Sequence, residues 1–164
     1  LNILELGFGT GLNALLTALG TEQPIYYESI EAQPLTPALH EAYAESLDLT
    51  ERELYMALAQ APWETLATIT PTFTLQKRKT TFQDMTLHYP FDIVYYDAFS
   101  PRKQPECWTI EILTACYHAL KPQGSLVTYC AKGSVKRNLK QTGFSVETLP
   151  GPPGKREMVR AIKT

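Results

Sequence analysis

The sequence predicts an α/β fold: a mostly parallel, seven-stranded sheet with helices on both faces and an antiparallel hairpin at one edge. Three observations indicate this fold. Apolar, β-rich runs alternate with amphipathic helical segments, a glycine-rich turn follows the first run, and a short proline- and glycine-rich turn separates the last two runs. At 164 residues we expect one domain over 1–164, which lacks an N-terminal segment because residue 1 already opens a strand.

The predicted elements alternate along the chain. Strands are predicted at 1–6, 25–31, 73–76, 91–96, 125–129, 144–148 and 158–162, and helices at 12–19, 37–46, 50–60, 111–120 and 134–141. Pro34 and Pro37 mark the opening of the second helix, and Pro122 with Gly124 stops the fourth. Strands joined through helices are parallel, whereas the last two strands are close enough to form a hairpin.

Composition excludes several classes of protein. No apolar run is long enough to cross a membrane, and we expect no membrane partner. The three cysteines (Cys107, Cys116 and Cys130) show no paired spacing, and the three histidines are scattered singly, so we expect reduced thiols, a cytoplasmic location and no metal.

Charge is polarised along the chain. Residues 1–70 contain one basic residue against ten acidic ones, whereas residues 71–164 contain fourteen basic against seven acidic. The basic side chains occur in clusters, which indicates either a face that binds a polyanion or an ordinary solvated surface. Charge alone leaves both interpretations open.

The turn after the first strand carries glycines on alternate positions. A dinucleotide-binding turn needs a further glycine at position 12, where this chain has Leu12. The pattern instead favours a backbone that passes close to a different nucleotide-like cofactor, with a simple tight turn as the alternative. The candidate cofactor-binding residues here are Glu5, Gly7, Phe8, Gly9, Thr10, Gly11 and Asn13.

Three further carboxylates follow predicted strands. Glu31, with Ala32 beside it, ends the second strand, where its two oxygens are able to accept hydrogen bonds from both ribose hydroxyls. Asp84 and Met85 follow the third strand region and are suited to an adenine amino group and ring. Asp97 closes the apolar strand 91–96, at the sheet edge where catalytic groups lie. Surface carboxylates are the alternative for Glu31 and Asp84.

Three segments together carry a family resemblance: LELGFGTGLNAL at 4–15, YDAFSP at 96–101 with PECWT at 105–109, and GKREM at 154–158. They resemble the methyltransferase domain of the MnmC family of tRNA-modifying enzymes and its stand-alone relatives, within the Rossmann-like class I methyltransferases. The resemblance implies S-adenosyl-L-methionine as cofactor and tRNA as partner. The implied reaction is methylation of the 5-aminomethyl group on a wobble 2-thiouridine. From the chemistry of that amine, we expect Asp97 to be the catalytic residue, which orients the amine and is a candidate to take its proton, and also to bind near the cofactor.

The same resemblance suggests residues that contact the tRNA. Phe99 and Trp108 are candidates to sandwich a base withdrawn from its stack, although core packing is an equal interpretation for Trp108. The candidate phosphate contacts are Lys103, Lys132, Arg137, Lys155 and Arg156.

Three alternatives remain from sequence. An aminopropyltransferase shares the glycine-rich turn and the aspartate after the fourth strand, although the basic second half argues against its polyamine substrate. A small-molecule amine N-methyltransferase differs only in the acceptor. A non-catalytic cofactor-binding module of an RNA-modification complex is the third.

Overall fold

The computed structural model describes residues 1–88, 90–151, 154 and 156–164. Within these residues eight strands form one mixed sheet. They are β1 (Asn2–Leu6), β2 (Ile25–Ile30), β3 (Leu66–Thr70), β4 (Phe73–Arg78), β5 (Phe91–Tyr96), β6 (Leu120–Thr128), β7 (Phe144–Pro150) and β8 (Glu157–Lys163).

Five α-helices connect these strands within the same described residues. They are α1 (Leu12–Gly20), α2 (Pro37–Ala44), α3 (Leu49–Gln60), α4 (Ile110–Ala119) and α5 (Gly133–Thr142), and a short 3-10 turn covers Pro105–Trp108. The side chain of Thr36 caps α2 and that of Asp48 caps α3, because each oxygen accepts a hydrogen bond from a backbone N–H of the first turn.

The strand order is β3-β4-β2-β1-β5-β6-β8-β7. Strand β1 pairs in parallel with β2 on one side and with β5 on the other, so the chain changes direction across the sheet at β1. In open sheets of this kind a ligand binds beyond the carboxyl ends of the strands at that switch point. The glycine-rich turn after β1 and Asp97 after β5 both lie there.

The predicted fold class is confirmed, including the antiparallel hairpin of β7 and β8 at one edge. The sheet has one strand more than the seven expected. Strand β3 pairs antiparallel with β4 at the opposite edge. It was missed because its residues, LATIT, are all at least partly exposed and show no clear alternation of apolar and polar residues.

The core lies in two layers, one on each face of the sheet. Leu4, Val94 and Leu126 point to the face covered by α4 and α5, and Ile3 and Tyr27 point to the face that carries α1 and α3. This division follows from the period of two along a strand. Strand β1, in the middle of the sheet, is therefore buried on both faces, which fixes the position of its carboxyl end.

Candidate functional site

Gly7 allows β1 and β5 to end close together. Its φ is 99°, and a Cβ at this position would lie 2.8 Å from the carbonyl oxygen of Asp97. The Gly7 N–H donates to the Ile30 carbonyl at 2.9 Å, and the Asp97 N–H donates to the Leu6 carbonyl at 3.0 Å. A side chain at Gly7 would push the Asp97 backbone away, so only glycine is compatible with this geometry.

Gly9 faces open space instead. Its φ is 51°, and nothing lies within 4 Å of the position that a Cβ would take. Its N–H donates to Glu31 Oε2 at 3.1 Å, while Glu31 Oε1 accepts from the Gln33 N–H at 2.8 Å. The carboxylate at the end of β2 is thereby held against an open cradle formed by the turn.

Phe8 does not point into this cradle. Its side chain is buried, with its ring centroid 6.4 Å from His40 and 6.1 Å from Trp63, and the Lys77 ammonium lies 5.1 Å from the ring centroid. The sequence-based assignment of Phe8 to cofactor binding is therefore wrong for its side chain, because the ring anchors the turn to the core. Burial lowers the pKa of Lys77 to about 8.

Glu5 is fully buried, with 0% of its surface exposed. Its Oε1 accepts from Asn13 Nδ2 at 3.0 Å and its Oε2 from Ser29 Oγ at 2.7 Å. Asn13 Nδ2 also donates to Asp97 Oδ2 at 3.0 Å. Direct contact between Glu5 and a cofactor, which the sequence suggested, is not compatible with this burial. Asn13 and Asp97 are the members of the cluster that reach the surface.

Burial also dominates the electrostatics of Glu5. Desolvation raises the pKa of its carboxyl from 4.5 to about 8, and the nearby Asp97 charge adds to the rise, whereas the hydrogen bonds from Ser29 and Asn13 oppose it. Near neutral pH Glu5 is thus mostly protonated. The site then carries the negative charge of Asp97 next to a neutral buried acid.

The segment after Asp97 is held by side chains from three other elements. Trp108 Nε1 donates to the Phe99 carbonyl at 2.7 Å, Tyr129 donates its hydroxyl proton to the Ala98 carbonyl at 2.7 Å, and Asn138 Nδ2 donates to the Trp108 carbonyl at 3.2 Å. Phe99, two residues after Asp97, is 63% exposed. The backbone of this segment is therefore hydrogen-bonded to neighbouring elements while the Phe99 side chain is exposed.

The structure decides between the two interpretations of Trp108, base stacking and core packing. Its side chain is only 4% exposed, and its ring packs against Tyr96 with centroids 4.8 Å apart. No face of the indole is available to stack on a base, so the core-packing interpretation is the right one. The hydrogen bond to the Phe99 carbonyl gives Trp108 a positioning role.

The remaining predicted residues are exposed or partly buried. Asp84 and Thr10 are exposed, as is Ala32, and Met85 is partly buried against the core. The Asp84 carboxylate accepts from Thr81 Oγ1 at 2.7 Å, and Gln83 Nε2 donates to the Glu106 carbonyl at 3.0 Å. The loop 81–85 is thereby tied to the 3-10 turn.

The predicted phosphate contacts lie on the exposed surface, apart from Lys155, which is outside the described residues. Lys132 is exposed immediately before α5, Arg137 is exposed in the middle of α5, and Arg156 is exposed before β8. The Lys103 ammonium lies 5.9 Å from the centroid of the Phe99 ring. Lys103 and Phe99 thus form one surface next to Asp97.

Some contributors to the site were absent from the sequence analysis. Ser29 and Asn138 each donate to a predicted residue, and Tyr129 donates to the carbonyl of Ala98, which lies between the predicted Asp97 and Phe99; these partners are far apart in sequence. The pairing of Glu5 with Ser29 follows from the register of β1 and β2. Only a predicted register would have identified it.

Two features are absent from the described part of the chain. No helix there is long and apolar enough to cross a membrane. No group of three or more histidine, cysteine or carboxylate side chains is placed to hold a metal ion. The three cysteines are free thiols.

The donor and acceptor set of the cradle fits an adenosyl ligand. Each Glu31 oxygen accepts one backbone N–H and retains a lone pair for a ribose hydroxyl. The open direction at Gly9 leaves room for a ligand against the backbone. The exposed Asp84 carboxylate is able to accept a hydrogen bond from an adenine amino group.

Comparisons with known proteins give a consistent result. A family model described as S-adenosyl-L-methionine-dependent methyltransferase matches residues 64–164. The bifunctional tRNA 5-methylaminomethyl-2-thiouridine biosynthesis protein MnmC of Nitrosospira multiformis is 30% identical over an alignment that covers 97% of this chain and 28% of that protein. The chain therefore spans less than a third of this relative.

Solved structures share the fold. MNMC2 from Aquifex aeolicus superimposes with a TM-score of 0.76 at 25% identity, covering 98% of this chain and 52% of that one. The S-adenosylmethionine-bound amino pentose methyltransferase CalS10 from Micromonospora echinaspora superimposes with a TM-score of 0.60 at 14% identity, covering 99% of this chain and 83% of that one. The second likeness shows the fold alone.

Proposed function

This chain belongs to the S-adenosyl-L-methionine-dependent methyltransferase family, and we propose that within it the chain methylates the 5-aminomethyl group of wobble 2-thiouridine in tRNA. The expectations of a methyltransferase and of S-adenosyl-L-methionine as cofactor are confirmed by the family. The aminopropyltransferase and non-catalytic alternatives are therefore abandoned. What we propose beyond the family is the molecule that accepts the methyl group.

We assign the cofactor to the cradle between the glycine-rich turn and the end of β2. Glu31 would bind the ribose hydroxyls, and Gly9 would let the ligand lie against the backbone. Asp84 and Met85 would receive the adenine end. When bound, S-adenosyl-L-methionine supplies an electrophilic methyl group on a sulfonium.

Asp97 is the residue that we assign to the amine. An aliphatic ammonium has an ordinary pKa near 10.4, so an acceptor amine must lose a proton before it becomes nucleophilic. Among the described residues, Asp97 Oδ2 accepts from Asn13 while Oδ1 accepts no hydrogen bond. Oδ1 is thus available to accept a hydrogen bond from the amine, to orient its lone pair and to receive its proton.

The observation that carries the tRNA proposal is the pairing of Asp97 with the exposed Phe99 ring two residues later. An amine attached to a base would bring that base over Phe99, whose ring is 63% exposed, and stacking typically stabilises such a base by about 1 to 3 kcal/mol. Lys103 beside the same ring offers a charge for the adjoining phosphate.

Other basic side chains of the second half of the chain are also exposed. Lys132, Arg137 and Arg156 are exposed, and the chain's second half has twice as many basic as acidic residues. This distribution supports a polyanion as the partner. A cytoplasmic location follows from the same proposal and stays a prediction.

The test is methyl transfer to tRNA that carries 5-aminomethyl-2-thiouridine. We expect the wild-type chain to methylate it, and Asp97→Asn, which keeps the shape but removes the basic oxygen, to lower kcat by about 100-fold or more. Calorimetric binding of S-adenosyl-L-methionine serves as the control that the variant is folded. Equal kcat for wild type and variant would remove Asp97 from the reaction, and transfer to free amines but not to tRNA would favour the small-molecule alternative.

A further inference from the structure

The Asn13 side chain lies between two carboxyl groups. Its Nδ2 is 3.0 Å from Glu5 Oε1 and 3.0 Å from Asp97 Oδ2. An amide nitrogen has two hydrogens, so each carboxyl group receives one of them. The Asp97 carboxylate has no hydrogen to donate, and this fixes the orientation of the amide with Nδ2 towards the two acids.

One end of this bridge is anchored in the core. Glu5 is fully buried on the central strand, and its second oxygen accepts from Ser29 Oγ at 2.7 Å. The β1–β2 register places Ser29 directly beside Glu5. Rotation of the Glu5 side chain would leave these buried polar groups without partners, which costs about 1 to 3 kcal/mol per group.

The other end is exposed and has little else to hold it. The Asp97 backbone is fixed by its hydrogen bond to the Leu6 carbonyl and by the close approach of Gly7. For the Asp97 carboxylate, the hydrogen bond from Asn13 is the one contact of this kind among the described residues. Without it, the side chain would be free to take other rotamers.

We propose that Asn13 is a positioning residue that holds the Asp97 carboxylate in one rotamer, with buried Glu5 as its anchor. This rests on the proposed function, in which Asp97 receives the amine. Placement matters because misplacing a reacting group by about 1 Å typically lowers the rate about 100-fold. Hydrogen bonds thus link Ser29 and Glu5 in the sheet, through Asn13, to the exposed carboxylate of Asp97, and they restrict its rotation.

The electrostatics suit an amide in this position. Burial raises the pKa of Glu5 to about 8, so near neutral pH the cluster contains one full negative charge, on Asp97. The groups that face Glu5 are Ser29 and Tyr27 from β2, Asn13 from α1 and Asp97 after β5. A carboxylate at position 13 would add a second charge and would supply no hydrogen for either neighbour.

Two variants separate the loss of the hydrogen bonds from the loss of shape. Asn13→Ala removes the amide, while Asn13→Asp keeps its shape but has no N–H to donate. Asn2→Ala is the matched control, because Asn2 Nδ2 donates to the Pro90 carbonyl at the opposite end of β1. Circular dichroism and denaturation confirm that each variant is folded.

The first readout is the χ1 rotamer of Asp97, measured by NMR three-bond couplings in the chain without acceptor. We expect one rotamer in wild type and Asn2→Ala, and averaged couplings in both Asn13 variants. A single Asp97 rotamer in both Asn13 variants would overturn the proposal. This measurement does not depend on the acceptor, so if wild type fails to methylate tRNA while the rotamer still becomes averaged, the proposed function fails and the positioning role stands.

The second readout is kinetic, with whichever amine the wild-type chain methylates. For both Asn13 variants we expect kcat to fall by about 10-fold to 100-fold, with acceptor KM and cofactor Kd changed by less than about 3-fold. A loss of rate explained wholly by weaker cofactor binding would make Asn13 a cofactor ligand and contradict the proposal.

Discussion

The two sides of the site are built differently. On the cofactor side, Gly7, Glu31 and Glu5 are packed or hydrogen-bonded to neighbouring strands, and little there is free to move. On the acceptor side, the backbone of the segment after Asp97 is held firmly, but Phe99 and Arg137 project into solvent. The difference teaches that, under the proposed function, the fold would hold the small cofactor by geometry and would meet the large acceptor with exposed aromatic and basic side chains.

Charge follows the same division. The first 70 residues, which supply the turn and Glu31, are strongly acidic, whereas the later residues, which supply Phe99 and the basic helix α5, are basic. A cationic cofactor and a polyanionic acceptor would each meet the half that favours it. Variants of the glycine-rich turn should therefore change stability and cofactor binding, and variants of Phe99 and of the exposed basic residues should change tRNA binding alone.

The largest effect is expected at Gly7. Gly7→Ala places a Cβ 2.8 Å from the Asp97 carbonyl oxygen at a φ of 99°, so we expect the free energy of unfolding to fall by about 3 kcal/mol, with cofactor binding lost. Urea denaturation measures the free energy of unfolding, and calorimetry measures cofactor binding. Gly9→Ala is the matched comparison, since its Cβ meets no atom: about 1 kcal/mol of stability should be lost. Equal losses of stability in the two variants would show that the contact between a Cβ at position 7 and the Asp97 carbonyl oxygen is not what requires glycine there.

A pH-dependent effect is expected from Glu5. Because the folded state raises its pKa from 4.5 to about 8, the folded chain holds a proton that the unfolded chain has lost, and stability should fall as pH rises between these values. The slope approaches about 1.4 kcal/mol per pH unit. In Glu5→Gln this contribution is absent, so the wild-type and variant stabilities should diverge across that range in urea titrations. Parallel pH profiles would show that Glu5 is not protonated in the folded chain.

A smaller effect, confined to the acceptor, is expected at Phe99. Phe99→Ala removes an exposed ring, so stability should change by less than about 0.5 kcal/mol while KM for tRNA rises about 10-fold. Leu49→Ala, at a side chain that is 78% exposed on α3, is the control for removal of an exposed apolar group. An unchanged KM at Phe99 would show that no base stacks there.

The smallest effect is expected for single basic residues. Arg137→Ala should weaken tRNA binding and reduce the slope of log affinity against log salt by about 1, as for one phosphate contact. Arg160→Ala is the control, because Arg160 is neutralised by Glu147, with nitrogen-to-oxygen distances of 2.6 and 3.0 Å. Titrations at several salt concentrations measure both slopes. Equal slopes for the two variants would argue against α5 as a phosphate-binding surface.

Sequence predicted the strand ends that frame the site better than it predicted the burial of the side chains around them, for a physical reason. Gly7, Gly9 and Glu31 are tied to strand ends, and strand ends are visible in a single sequence as apolar runs followed by turns. The burial of Glu5 and of Trp108 depends on strand register and on how α5 packs, which short-range patterns do not contain. Strand β3 escaped prediction for the same kind of reason, since its pairing with β4 rather than its residues defines it.

The most direct test of the central claim is nucleoside analysis of tRNA after incubation with the chain and S-adenosyl-L-methionine that carries a labelled methyl group. The account predicts label on the nitrogen of the 5-aminomethyl group of the wobble 2-thiouridine, and none in tRNA that lacks this group. Label at another nucleotide, or transfer to free amines while this tRNA stays unlabelled, would contradict it.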